Sequence, residues 1–123
     1  MNKKERKRIE ARLHEERARA LEALRRAQEE EQVPPGEQAG EVARWYTHPA
    51  DAAWELEEQE RDFMVAETAS RVLRQIDAAL ELLYRDPKAF DRCERCGKPI
   101  ELERFEVVPW TRVCAACARV GGD

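Results

Sequence analysis

The stretch CERCGKPIELERFEVVPWTRVCAAC, residues Cys93 to Cys117, decides how the rest of the 123-residue chain is read. It holds two Cys-x-x-Cys pairs separated by seventeen residues, the spacing of a structural zinc site with four sulfur ligands. Each pair forms a tight knuckle that supplies one edge of a tetrahedron, and the loop between them brings the second knuckle back to complete it. All four cysteines of the chain, Cys93, Cys96, Cys114 and Cys117, fall in these pairs. Two disulfides would need an oxidising compartment, and the N-terminal MNKKERKRIEAR lacks the apolar run of a secretory signal. A thioredoxin-like dithiol would need one pair in a βαβ setting, which this sequence does not offer. Four protein ligands leave no open position for water or substrate, so the expected single zinc ion is structural, not catalytic.

Within this module, Gly97 after Cys96 fits the left-handed turn that a knuckle needs. Phe105, Val107 and Val113 at alternate positions predict a short β-hairpin interrupted by Pro109. Cys114 to Val120 predicts a short terminal helix whose first turn carries the last two ligands, its dipole favouring thiolates. Trp110 is expected in the module's core, since so small a unit buries the few aromatics it has.

Outward from the cysteines, the chain is helical. Residues 3 to about 31 have no Gly or Pro, and Ile9, Leu13, Ala20, Leu24 and Ala27 recur at spacings of three, four or seven. A second helix is expected over about 50–84, with Leu56, Phe63, Ala66, Leu73, Ile76, Leu80 and Leu83 along one side. The alanine-rich stripe of the first helix is too thin to be stable alone and should zip against the second. Pro34, Pro35 and Gly36 stop the first helix, and a tip loop of about 32–49 carries Trp45 and Tyr46, large rings that argue against full disorder. The expected fold is mainly α: a long antiparallel coiled-coil hairpin over 1–86, then a four-Cys zinc-finger module over 87–123 with a short β-hairpin and a terminal helix.

Composition agrees with long solvated helices, because 39 % of residues are charged. No apolar run approaches the ~20 residues that span a membrane, and a cytoplasmic protein is expected. The formal net charge of −4 conceals a gradient. Met1 to Arg26 holds ten Lys and Arg against five Glu, whereas Gln28 to Asp62 holds eleven acids against two Arg. So acidic a middle is a poor surface for phosphates, and a basic protein partner is expected instead of nucleic acid. No Ser-His-Asp set, phosphate-binding glycine loop or open metal site is present, so no enzyme is expected.

The order of helical hairpin, Cys-x-x-Cys-Gly-x-x-Ile, Arg-Phe-Glu-x-x-Pro and closing Cys-x-x-Cys resembles the DksA/TraR family of bacterial transcription regulators. The marks are Cys93, Cys96, Gly97, Ile100, Arg104, Phe105, Glu106, Pro109, Cys114 and Cys117. The stretch HPADAAWELEEQERD, residues 48–62, is more similar to the Gram-positive branch. The resemblance implies binding to RNA polymerase, with an acidic coiled-coil tip in the secondary channel altering initiation without contact to DNA.

The family's tip motif, Asp-x-x-Asp-x-Ala, is matched here by Asp51 and Ala53, with His48 in place of the first acid. Asp51 also suits a helix N-cap, a role compatible with contact. His48 reads most simply as a loop residue, Glu55, Glu57, Glu58 and Glu60 as a solvated face that could steer toward a basic channel, and Trp45 and Trp54 as staples or docking groups. Where relatives hold an alarmone, guanosine tetraphosphate, with basic side chains, the resemblance puts Gln75, Val108 and Ala118, so no alarmone binding is expected at that site. Two other readings stay open: a zinc-stapled coiled-coil adaptor for another assembly, and a switch in which thiolate oxidation ejects zinc.

Overall fold

The computed structural model describes residues 1–32 and 49–121, with side chains over 1–29 and 57–121. The expected tip loop, with Trp45, Tyr46 and His48, lies outside the described residues. Five helices follow one another: α1 Lys3–Gln32, α2 Pro49–Arg85, α3 Pro87–Phe90, α4 Leu102–Val107 and α5 Ala115–Gly121. Their packing forms two compact units, Met1–Arg19 with Val72–Asp123, and Ala20–Arg71.

Helix α1 starts on a reciprocal capping box. The Glu5 N–H donates to Asn2 Oδ1 at 2.8 Å and the Asn2 N–H donates to Glu5 Oε1 at 2.9 Å, satisfying two otherwise orphaned donors. Helix α2 ends where Pro87 cannot continue the ladder, and the chain at once begins α3. There the Asp86 carboxylate accepts from the Ala89 N–H at 3.3 Å, with Pro87 in the first helical position. Asp86→Ala is expected to lower the unfolding free energy by about 1 kcal/mol, and Asp86→Asn far less, as read by urea denaturation of the zinc-loaded protein.

In the first unit α1 and α2 run antiparallel, as the pairs Arg17–Asp77 at 2.7 Å and His14 Nε2–Tyr84 Oη at 3.0 Å require. Ile9 and Leu13 face Ile76, Ala79, Leu80 and Leu83 in a core that continues without a break into Phe90, Ile100, Phe105, Val113, Cys93 and Cys114. This core draws on residues from both sides of residue 86. Phe90 and Phe105 are fully buried and stacked, with ring centroids 5.0 Å apart and planes inclined at 19°. Arg6 Nη2 reaches Asp91 at 2.6 Å. Arg8 pairs with Glu106 at 2.7 Å, and Arg12 donates to the Glu106 carbonyl, so the first turns of α1 hold both α4 and the segment after α3.

Two expectations about the module need correction. The predicted β-hairpin is absent: Leu102–Val107 is α4, and the one β feature among the described residues is an isolated bridge between Arg92 and Pro99. Alternation had placed Phe105 and Val107 on one face, but a helix turns them about 200° apart. Phe105 is fully buried and Val107 is 76 % exposed. Trp110 lies partly buried against the core, whose centre the two phenylalanines fill.

In the second unit the buried hydrophobic positions among the described residues are Ala20, Ala27 and Ala69. Glu22 accepts from Arg25 and Arg26, and the Arg25 hydrogen bond, followed by the attraction of both guanidinium groups, brings its carboxyl down to about 2 despite partial burial. Phe63, expected in the buried stripe of α2, is 61 % exposed. The reason is angular drift: the steps Phe63–Ala66–Leu73–Ile76 include two of three residues, each lagging a full turn by about 60°. Ala69, seven residues before Ile76, keeps the seam instead. No described helix is long and apolar enough to cross a membrane.

Candidate metal centre

The first knuckle closes by backbone hydrogen bonds. The Gly97 N–H donates to the Cys93 carbonyl at 3.0 Å and the Cys93 N–H donates to the Lys98 carbonyl at 2.8 Å. The turn between them needs φ +76° at Gly97, a conformation that costs glycine little and side-chain-bearing residues more. The second knuckle is built on α5. Cys114 immediately precedes that helix, Cys117 lies in its first turn, and the Ala118 N–H donates to the Cys114 carbonyl at 2.9 Å.

Two side chains the sequence reading passed over hold α5 at its ends. Glu101 Oε2 accepts from the Ala115 N–H at 3.2 Å, and the hydrogen bond from its own backbone N–H, followed by this one, keeps the Glu101 carboxyl below the ordinary range. Arg95, inside the first knuckle, donates to the Cys117 carbonyl at 3.4 Å and lies directly against Gly121, where a Cβ would meet its guanidinium. A third, Arg112, lies 4.5 Å over the Phe90 ring and donates to the Phe90 carbonyl at 3.0 Å. Neither Nε nor Nη1 of that guanidinium has a partner, though both are buried. Spacing could not have revealed these contacts, because each joins segments far apart in sequence.

The four sulfur atoms converge, all lying within 4.8 Å of one another, and Cys96 and Cys114 are 3.7 Å apart. A tetrahedron with Zn–S bonds of about 2.3 Å has S···S edges of about 3.8 Å, so the set matches one zinc ion. A disulfide needs sulfurs about 2.05 Å apart, and all four cysteines are free thiols. Burial opposes ionisation of Cys93, but hydrogen bonds from the backbones of Cys96, Cys114 and Arg95 and from the Cys96 thiol outweigh it and bring that thiol down to about 6. Cys117, hydrogen-bonded first to Cys114 and Cys93, is pushed up to about 12. Four thiolates brought this close would repel one another without a cation among them. When bound, zinc supplies that charge and ties the two knuckles covalently.

The profile of the prokaryotic dksA/traR C4-type zinc finger matches residues 88–120, the segment that holds all four cysteines. This chain belongs to the dksA/traR family.

An uncharacterized protein of Aquifex aeolicus is 34 % identical over 118 residues, covering 96 % of this chain and 77 % of its own. The uncharacterized protein YteA of Bacillus subtilis is 33 % identical over 75 residues, 61 % of this chain and 30 % of YteA. Among solved structures, the transcription factor DksA2 from Pseudomonas aeruginosa superposes with a TM-score of 0.72 at 21 % identity, over 98 % of this chain and 84 % of that one, and so shares the fold.

In this dksA/traR-type chain the remaining expected site residues fall at the start of α2. Helix α2 begins at Pro49, so Asp51 and Ala53 lie in its first turns. Asp51 is therefore inside the helix and not its N-cap, at a position where the dipole favours an acid. His48 lies outside the described residues. Of the positions relevant to an alarmone, Gln75 is exposed on α2, while Val108, at the end of α4, and Ala118, on α5, are partly buried.

Proposed function

We propose that this chain is a transcription regulator that binds bacterial RNA polymerase, enters the secondary channel with the Asp51 end of α2, and alters initiation without contacting DNA. It catalyses no reaction, and it acts in the cytoplasm beside the polymerase. The observation that carries this reading is the concentration of acid around that end. Ala20–Arg71 holds thirteen Asp and Glu against five Arg, while Met1–Arg19 with Val72–Asp123 holds seventeen Lys and Arg against thirteen acids. An acidic segment is steered into a basic channel and away from DNA phosphates. The zinc serves to fix the finger against α1 and α2, since four cysteines complete its coordination. Gln75, Val108 and Ala118 offer no cation, so guanosine tetraphosphate is given no part.

The test is binding of the zinc-loaded protein to polymerase core, with promoter-complex lifetimes measured for the parent and for Asp51→Asn. Both proteins are expected to bind within about threefold of each other, as removing one charge from so acidic a segment changes affinity little. The parent alone changes the lifetime. A parent that fails to bind, or an Asp51→Asn variant with full effect on lifetime, contradicts the reading.

A further inference from the structure

We infer that Lys3, Lys4 and Lys7 of α1 form a docking face for an acidic protein segment, carried by the polymerase outside its secondary channel. The inference rests on the polymerase reading and adds to it a contact of opposite sign from the Asp51 end. At about 100° per residue the three lysines fall within an arc of about 100°. That arc is turned away from Ile9 and Leu13, the α1 residues that face the core. All three lysines are exposed, so they share one surface of the first two turns.

The charge of this face is left uncompensated, unlike the rest of the helix. Arg6 pairs with Asp91 and Arg8 with Glu106, and Arg12, Arg17, Arg19, Arg25 and Arg26 each reach a carboxylate as well. Every arginine of α1 is thus paired, whereas Lys3, Lys4 and Lys7 have no carboxylate partner among the described residues. The acids nearby are engaged elsewhere: Glu5 with the Asn2 N–H, Asp91 with Met1 and Arg6, Glu106 with Arg8, and Glu10 with Tyr84. Lysines three and four residues apart repel one another, and cations at a helix start oppose its dipole. An anionic surface relieves both. The channel that receives the acidic segment is basic, so a different and acidic surface must meet the lysines. Three cations along about 6 Å of helix suit a short run of Asp and Glu, whereas nucleic-acid binding typically spreads about 6–10 phosphate contacts along a backbone. A second copy would offer only the acidic segment that the channel already holds.

The test compares the parent, Lys3→Gln/Lys4→Gln/Lys7→Gln and Lys3→Arg/Lys4→Arg/Lys7→Arg, all full-length and zinc-loaded. Each is titrated against polymerase core free of nucleic acid at low and high salt, with thermal unfolding and sedimentation recorded alongside. The glutamine variant is expected to bind about tenfold more weakly at low salt, since exposed ion pairs contribute little singly but three act together. At high salt the difference is expected to shrink to within about twofold. The arginine variant is expected to bind like the parent, because attraction between solvated surfaces depends on charge. The unfolding midpoint of the glutamine variant is expected to equal or exceed the parent's, as the repulsion among the lysines is gone. If parent and glutamine variant bind equally, the lysine face is overturned while the polymerase reading stands; if the parent does not bind at all, both fall. A loss seen only with promoter DNA present, a loss confined to self-association of the parent, or a lowered midpoint also overturns the inference.

Discussion

Cys114→Ser is expected to release the zinc and abolish the cooperative unfolding of the unit built from Met1–Arg19 and Val72–Asp123. Cys114 is 5 % exposed and belongs at once to the metal site and to the hydrophobic core. A serine hydroxyl stays protonated at neutral pH and is a poor zinc ligand, so the site drops to three sulfurs and a buried hydroxyl loses its partner. Structural zinc sites contribute about 10–16 kcal/mol of apparent binding energy, whereas whole domains are stable by about 5–15 kcal/mol. The metal term therefore decides whether this unit is folded. The expected readings are well under one equivalent of zinc in the purified variant, loss of the thermal transition, and a red shift in the tryptophan fluorescence, to which Trp110 contributes. A strong chelator should do the same to the parent, reversibly on adding zinc. A Cys114→Ser protein that melts like the parent would show that the core alone holds the unit.

Phe105→Ala is expected to destabilise the zinc-loaded protein by about 3–5 kcal/mol, the range for emptying a buried aromatic site. Phe105 has no exposed surface, and its ring stacks on Phe90, which in turn lies under the Arg112 guanidinium. Removing the ring opens a cavity where the finger and the two long helices share one core, and leaves little for the site to collapse onto. Val107→Ala, two residues away and 76 % exposed, is expected to change stability by less than about 0.5 kcal/mol. Urea unfolding of both variants with zinc present distinguishes the helix from the strand that alternation suggested, because a strand would make the two substitutions comparable.

That pair of residues also marks where the sequence stops being legible. Features that depend on spacing within a few residues were readable: the four ligands, the positive φ at Gly97, the bounds of α1 and α2 to within a residue or so, and α5. They are local because helix periodicity and knuckle geometry are local. Six residues with apolar groups at alternate and third positions fit a strand or a helical turn equally well, and in α4 only the burial of Phe105 against Phe90 decides between them. Phe63 was assigned to the seam because steps of three residues look periodic while their angle drifts. Arg112 over Phe90, Arg95 against Gly121, and Glu101 at the start of α5 could not be anticipated, since each depends on the tertiary path between distant segments. The Asn2–Glu5 capping box, by contrast, was present in the sequence as an Asn three residues before a Glu at a helix start.

Entry of α2 into the polymerase channel is tested most directly by a photo-reactive benzophenone side chain placed at Ala53, in the first turns of that helix, in complex with polymerase core. The expected result is crosslinking to polymerase segments that line the secondary channel near the active site, at one site per complex and lost when another channel-binding protein is in excess. Crosslinks confined to the outer surface of polymerase, or none from a complex that demonstrably forms, would contradict insertion and leave the acidic end of α2 without the role proposed for it.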